Sequence, residues 1–242
     1  MADDTGASLL SIRVASIRDT MHEVCLRIGR DPKEIKLMGV SKFQPLSAVE
    51  EAWKGGLRLF GENRVQEGIE KFASFREQYP ARRECEIHLI GSLQRNKAKK
   101  AADFFDCVQS VDREPLIEEL GALTLGRKAP LMVLLEYHTG ETSKAGFPDL
   151  DSLCRGAEKV CSFPGLHPLG LMTIAPFTAD KKAVRAAFRS CYLAAEELKK
   201  RFPVENAWSC LSMGMSGDFE IALEEGSTLI RIGTAIFGER HP

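Results

Sequence analysis

Ile35-Lys36-Leu37-Met38-Gly39-Val40-Ser41-Lys42 is an apolar run that stops at a lysine, with Pro32 before it and Pro45 after it. A short apolar segment bounded by prolines reads as a buried strand, and helical signals resume at Ser47. Lys42 therefore stands where strand becomes loop. In a β/α-barrel that carboxyl end is the face that carries chemistry, and an amine fixed there can form an imine with a carbonyl compound. The ordinary alternative is a lysine that snorkels into solvent from a strand end.

The same alternation extends through the chain. Upstream lies an amphipathic helix from about Ala7 to Ile28, stopped by Gly29 and Asp31-Pro32. Strand-like segments fall at 35–40, 57–60, 86–90, 107–111, 131–137, 166–171, 206–211 and 229–232. Helical patterns at about 46–55, 65–78, 96–104, 114–124, 150–160, 181–202 and 217–225 lie between and after them, each apolar on one face and charged on the other. Strand then helix, repeated, means parallel β/α units. About eight strands in roughly 200–250 residues is the scale of a closed barrel, whereas a doubly wound sheet generally has fewer. The expectation is a (β/α)8 TIM barrel preceded by an N-terminal helix. It is expected to span 1–242 as one domain, because no composition shift or low-complexity linker divides it.

Composition narrows the function classes. With 242 residues, 44% hydrophobic and 28% charged, the chain can bury a full core, and disorder is not expected. A net charge of -1 gives no general attraction to nucleic acid or an anionic membrane, so any anion site must be local. The basic run Arg95, Lys97, Lys99, Lys100 reads as the solvated start of a helix. Seven scattered cysteines without a Cys-x-x-Cys pair argue for reduced thiols in the cytoplasm, not for disulfides or zinc. The histidines are isolated, so no metal site is expected. Met1-Ala2-Asp3-Asp4 is acidic where a presequence is basic, and no apolar stretch is long enough to span a bilayer.

Barrel topology turns sequence positions into a map, because the loops after the last two strands commonly hold a phosphate. Leu211-Ser212-Met213-Gly214-Met215-Ser216-Gly217-Asp218 leads into a helix from Phe219, where backbone N–H groups and the Ser216 hydroxyl would suit a dianion. Arg231-Ile232-Gly233-Thr234 follows the last strand, where Gly233 permits close backbone approach and Thr234 offers a hydroxyl. The alternative is that Ser216 merely caps a helix and Gly233 merely turns the chain. Arg231 interrupts an apolar strand, so its guanidinium must be paired or must face a ligand. A salt bridge to Glu62 or Glu239 is the structural option.

Taken together, Val40-Ser41-Lys42, Phe60-Gly61-Glu62-Asn63-Arg64-Val65-Gln66-Glu67, His88-Leu89-Ile90-Gly91-Ser92-Leu93-Gln94-Arg95-Asn96-Lys97, Glu141-Thr142-Ser143-Lys144-Ala145-Gly146-Phe147, Gly170-Leu171-Met172, Leu211 to Ser216 and Arg231 to Thr234 resemble the pyridoxal-phosphate homeostasis proteins, in order along the chain. That family is similar to the barrel domain of alanine racemase. One departure is Ile87, where many members carry an aromatic residue. The resemblance implies that pyridoxal 5'-phosphate is bound through Lys42, with Ser216, Gly233 and Thr234 at its phosphate. It implies Arg231 at the pyridine nitrogen, where a cation keeps that nitrogen unprotonated and makes the ring a poorer electron sink. Asn63, His88 and Met172 would line the ring. The ordinary alternative for His88 is a hydrogen-bonded histidine inside the barrel. Lys144 is expected to be structural, or a transient second carrier.

Two functions follow from the resemblance. One is a monomeric cytoplasmic protein that holds the cofactor and delivers it, with apo pyridoxal-phosphate enzymes as recipients. The other is an amino-acid racemase. Racemisation needs an acid/base group on each face of the substrate carbon, and Lys42 supplies only one. In the racemase the second is a tyrosine on a separate β-domain of the partner subunit, for which a sequence ending Arg240-His241-Pro242 is expected to have no residues. Tyr79, Tyr137 and Tyr192 fall in helical or strand segments, so no catalytic residue is assigned and binding is the expected role. A cofactor-free Schiff-base aldolase would leave both phosphate-like loops and Arg231 without a use.

Overall fold

The computed structural model describes residues 8–79, 85–140 and 145–239. Eight parallel strands close into a barrel in chain order: β1 (Lys36–Val40), β2 (Leu59–Glu62), β3 (Glu86–Leu89), β4 (Cys107–Val111), β5 (Leu131–Glu136), β6 (Leu166–Met172), β7 (Cys210–Ser212) and β8 (Leu229–Ile232). Each strand is buried on both faces, which is why the segments read as apolar runs and not as alternating ones. The outer ring consists of α2 (Leu46–Lys54), α3 (Val65–Gln78), α4 (Ala98–Phe104), α5 (Glu114–Leu123), α6 (Leu150–Cys161), α7 (Lys181–Arg201), α8 (Phe219–Glu224) and the short α9 (Thr234–Phe237).

The N-terminal helix α1 (Leu9–Arg27) starts where Ser8 accepts a hydrogen bond from the Ser11 N–H at 3.2 Å, and the chain turns at Gly29 with φ +70°. It packs against α2, α8 and α9, so it covers the seam where β8 pairs with β1. Arg30 secures the helix end by donating to the carbonyls of Leu223 and Ser227, each at 2.9 Å.

Alternation along the strands sorts side chains into two compartments. Leu37, Phe60, Ile87, Val108, Leu135 and Ile230 belong to the large core between sheet and helices. Met38, Leu59 and Leu229 form one cluster inside the barrel, and Cys107, Leu134 and Met172 form another. His88, Gln109, Glu136, Ser212 and Arg231, on the same parity nearer the carboxyl ends, are polar, and they face the site described below.

Two strand expectations shift. The expected strand 57–60 becomes Leu59–Glu62, because Leu57 still donates to the Ala52 carbonyl in the turn closing α2, where Gly56 has φ +88°. The expected strand 206–211 shrinks to Cys210–Ser212, because Asn206 and Trp208 have φ +60° and +58°, which no strand accommodates. That conformation is held from outside: the Trp208 indole N–H donates to the Phe202 carbonyl at 3.0 Å, and its ring is fully buried. The helix expected at 96–104 opens as a 3-10 turn over Arg95–Lys97, and α9 was not legible as a helix at all.

One glycine is fixed by a close approach. A Cβ on Gly91, just after β3, would lie 2.2 Å from the Asn63 carbonyl oxygen, so the β2 and β3 loops touch through main chain. Gly91→Ala is expected to lower stability by at least about 1–3 kcal/mol, since backbone must move to admit the methyl. Gly217, which has nothing within 4 Å, is the control. Urea denaturation of the two alanine variants checks this, and equal midpoints would refute it.

Candidate functional site

The candidate residues that fall among the described ones lie toward the carboxyl ends of the strands. Lys42 follows β1 in a turn and is half-buried; Asn63 follows β2; His88 is in β3 and Met172 ends β6; Ser216 lies between β7 and α8; Arg231, Gly233 and Thr234 fall in β8 and at its end. Register brings them round the barrel: Met38 pairs with Arg231, Gly61 with His88, and Met172 with Ser212. Lys144 lies outside the described residues.

Arg231 is the electrostatic centre. It is 4% exposed, with its guanidinium inside the barrel. One nitrogen donates to the Ser212 carbonyl and, at 2.8 Å, to the Ser212 hydroxyl, while the other donates to the Thr173 carbonyl at 2.8 Å. The salt bridge to Glu62 or Glu239 does not form among the described contacts. Glu62 faces the opposite way, toward α3, where Lys71 pairs with it. Burial lowers the Arg231 pKa, while the charges of Asp218 and Glu136 act in the other direction.

Because arginine only donates, it sets the polarity of a chain of hydrogen bonds. The Ser212 hydroxyl accepts from Arg231, so its single proton goes to the Gln109 side-chain oxygen at 2.6 Å. The Gln109 amide nitrogen then faces His88 Nδ1 at 2.8 Å, which makes Nδ1 the acceptor and leaves the ring proton on Nε2. Nε2 stands 3.5 Å from Glu86, which in turn pairs with Lys36 at 3.3 Å. The His88 hydrogen bond, helped by Lys36 and opposed by burial, holds Glu86 down to about 2. Both ring nitrogens of His88 thus face polar partners inside the barrel. Met172 is fully packed beside Cys107 and Leu134, beneath the mouth.

The two small-residue loops meet. The Ala235 N–H donates to the Ser216 hydroxyl at 3.3 Å, which ties the loop after β7 to the start of α9. At the start of α8 the geometry is less open than the sequence implied: the Asp218 and Phe219 N–H groups both donate to the Met215 carbonyl, and the Asp218 carboxylate accepts from the Met215 N–H. Ser216 thus lies beside Gly233 and Thr234, at the junction of the two loops. A Cβ at Gly233 would meet only Val40, at 3.6 Å, and its φ is negative, so nothing in the protein itself demands glycine there. The space that a Cβ there would fill is otherwise open.

Gln109, Ser212, Thr173 and Glu136 were not singled out in the sequence. Gln109 carried a signal, being polar in the run Cys107-Val108-Gln109-Ser110-Val111 at the parity of an inward position. Glu136 ends β5 on the inner parity. Burial first, then the charge of Asp112, push it up to about 7, with Arg231 opposing. A cavity of about 420 Å³ lies at the opposite, N-terminal mouth beside Lys36 and Glu86, and one of about 610 Å³ lies on the outside of the barrel, between the starts of α2 and α3. Neither joins a strand-end lysine to a buried guanidinium. No group of metal-ligating side chains occurs among the described residues.

Residues 13–241 match the family model of the alanine racemase N-terminal domain. The chain is 40% identical over 231 residues to the pyridoxal phosphate homeostasis protein of Escherichia coli K12, covering 94% of this chain and 95% of that one. The protein of that name from Vibrio alginolyticus is 40% identical over 215 residues, covering 88% and 90%. Among solved structures, PipY of Synechococcus elongatus with pyridoxal phosphate (PLP) bound superposes with a TM-score of 0.80 at 33% identity, covering 95% of this chain and all of that one. Alanine racemase from E.faecalis superposes with a TM-score of 0.65 at 18% identity, covering 93% of this chain and 58% of that one, a likeness of fold alone.

Glu136 generates a pH dependence. Its folded pKa of about 7 lies above the ordinary 4.5, so the folded protein retains a proton that the unfolded chain releases between those values. Stability from this group is present below pH 4.5 and lost as pH rises through about 7. Glu136→Gln should match the wild type near the acid end and exceed it by about 1–3 kcal/mol near pH 8. Denaturant titrations at both pH values test this, and an equal difference at the two would remove Glu136 as the cause.

Proposed function

Because the chain belongs to the pyridoxal phosphate homeostasis proteins, within the alanine racemase N-terminal domain family, we propose that it binds pyridoxal 5'-phosphate at the carboxyl mouth of its barrel and serves to hold and deliver it. The observation that carries this reading is Arg231, a permanent cation held inside the barrel by carbonyls and a hydroxyl, without an ion pair among the described residues. Such a group fits an acceptor that arrives with a ligand. The Gly233 cradle and the Ser216 hydroxyl beside it supply the complementary fit for a phosphate.

When bound, pyridoxal phosphate supplies an aldehyde, which an amine attacks with loss of one water, and a dianion that anchors it. In this reading Lys42 presents the amine from the turn after β1. Ser216, Gly233 and Thr234 bind the phosphate. Arg231, whose donors are fixed by Ser212 and Thr173, faces the ring nitrogen and disfavours its protonation. Asn63 and Met172 close the pocket walls, and His88 acts beneath them by orienting Gln109 and hence Ser212.

Delivery fits an accessible mouth. Lys42 is only half-buried and Thr234 is exposed, so the face can be reached by another protein. A monomer in the cytoplasm, with apo enzymes as recipients, belongs to the same proposal. No described helix is long and apolar enough to cross a membrane. The three tyrosines support binding over racemisation: Tyr79 packs on Phe75, Tyr137 on the outer core, and Tyr192 against Gly226. A racemase-like reading has one observation in its favour, the near-neutral Glu136 carboxyl at the mouth.

Borohydride reduction of the protein loaded with pyridoxal phosphate should leave a pyridoxyl group on Lys42, located by peptide mapping; a label confined to other lysines would refute the assignment. The same loaded protein, incubated with L- and D-amino acids, should change neither chirality nor keto-acid content. Turnover near about 1–10³ per second would establish the racemase reading instead.

Ser216→Ala combined with Thr234→Val should raise the Kd for pyridoxal phosphate by about tenfold or more, the loss expected for charge-assisted hydrogen bonds. Unphosphorylated pyridoxal should bind nearly as before. Equal losses for both ligands in titration calorimetry would show that these hydroxyls do not hold the phosphate.

A further inference from the structure

Ser41, Lys42, Phe43 and Gln44 form a tight turn closed by the Gln44 N–H donating to the Ser41 carbonyl at 3.0 Å. Phe43 sits at its third position with φ +62°, a conformation that suits glycine or asparagine and that a bulky side chain rarely adopts. A turn of this kind needs support from outside itself.

The support comes from β2 and α3. Glu67 accepts the Phe43 N–H at 2.5 Å, and Glu62 accepts the Ser41 hydroxyl at 2.7 Å. Lys71 reaches between them and donates to the Ser41 carbonyl at 2.7 Å, to Glu62 at 2.8 Å and to Glu67 at 3.1 Å. All three of its ammonium protons thus have acceptors. The Lys71 side chain is 8% exposed and that of Glu62 is fully buried. One oxygen of Glu62 has no hydrogen-bond partner among the described residues, and burial raises its pKa. The cluster lies outside the barrel wall: Glu62 follows Gly61, whose Cβ would strike Met38 of the interior cluster, so Glu62 points the other way.

The two peptide groups that flank Lys42 are therefore both anchored. The carbonyl before it is held by Lys71, and the N–H after it by Glu67. Those two planes fix the direction of the Lys42 Cα–Cβ bond, and hence where its amine can reach. We propose that Lys71, Glu67 and Glu62 are positioning residues that aim Lys42 into the mouth of the barrel from behind, without touching what is bound there. The proposal rests on the reading of Lys42 as the residue that captures the cofactor.

Two measurements test it on the full chain. In the cofactor-free protein, amide hydrogen exchange at Phe43 should accelerate about tenfold or more in Glu67→Ala, because a charge-assisted hydrogen bond is lost. Glu67→Gln, which retains an acceptor oxygen, should restore most of the protection. In stopped-flow absorbance, Glu67→Ala should slow covalent capture of pyridoxal phosphate by a similar factor. Binding of pyridoxine 5'-phosphate, which has no aldehyde, should be unchanged. Lys71→Met should slow capture further if it folds; Glu67→Ala decides the matter if it does not, since Glu67 is partly exposed and lies on a helix surface.

Unaltered Phe43 exchange together with wild-type capture in Glu67→Ala would overturn the clamp. Faster exchange with an unaltered capture rate would also overturn it, by showing that the clamp holds the turn and does not aim the lysine. If the wild type binds pyridoxine 5'-phosphate but never labels at Lys42, the cofactor reading itself fails and takes this proposal with it.

Discussion

A guanidinium inside a barrel must be answered by other groups, and the answer to Arg231 runs through the depth of this one. Its protons fix the Ser212 hydroxyl, which fixes Gln109, which fixes His88, whose free ring proton is turned to Glu86. Each link donates in the same direction, so each polarises the next. Removing one member would leave a buried polar group unsatisfied, which costs more than the bond itself contributes. The interior is therefore specified by one charge and not only by apolar packing.

That chain divides the barrel into levels. Toward the amino ends of the strands, Met38, Leu59 and Leu229 pack as an ordinary apolar layer, and Glu86 with Lys36 meets solvent. Toward the carboxyl ends the polar groups gather, and the loops that follow carry the turn at Lys42 and the small residues Ser216 and Gly233. Thiols play no part in this division. Cys85, Cys191 and Cys210 are pushed by burial up to about 12, 12 and 11, so they stay protonated and behave as small apolar side chains.

The same logic of anchoring recurs at Lys42. There the main chain on either side of the lysine is held by α3, at the Ser41 carbonyl and the Phe43 N–H. Lys71 and Glu67 belong to a helix whose register is fixed by burying Phe72 and Phe75, which makes α3 a stiff support. Holding a residue by its backbone constrains where its side chain can point, and the contacts that support the left-handed Phe43 lie outside the barrel wall.

The sequence by itself determined the barrel, because periodicities of two and of 3.6 residues are local and eight alternations leave few topologies. It located β8 at Leu229–Ile232, whose apolar run is sharply bounded, and α3 at about Val65–Gln78, from its 3.6-residue periodicity. It also marked Lys42, Ser216, Arg231 and Gly233, each unusual for its local surroundings. Only the tertiary structure decided what those residues face. Asn206 and Trp208 broke an expected strand because a buried indole, not the local pattern, sets their backbone. Arg231 turned to Ser212 and Thr173 and away from Glu62 because strand parity around a closed sheet assigns the two residues to opposite compartments. The partners of Gln109 and Lys71 became legible only once residues 21 and 30 positions away were brought within hydrogen-bond reach. Local propensity acts over one or two turns of chain, whereas closure of the barrel chooses neighbours across all of it.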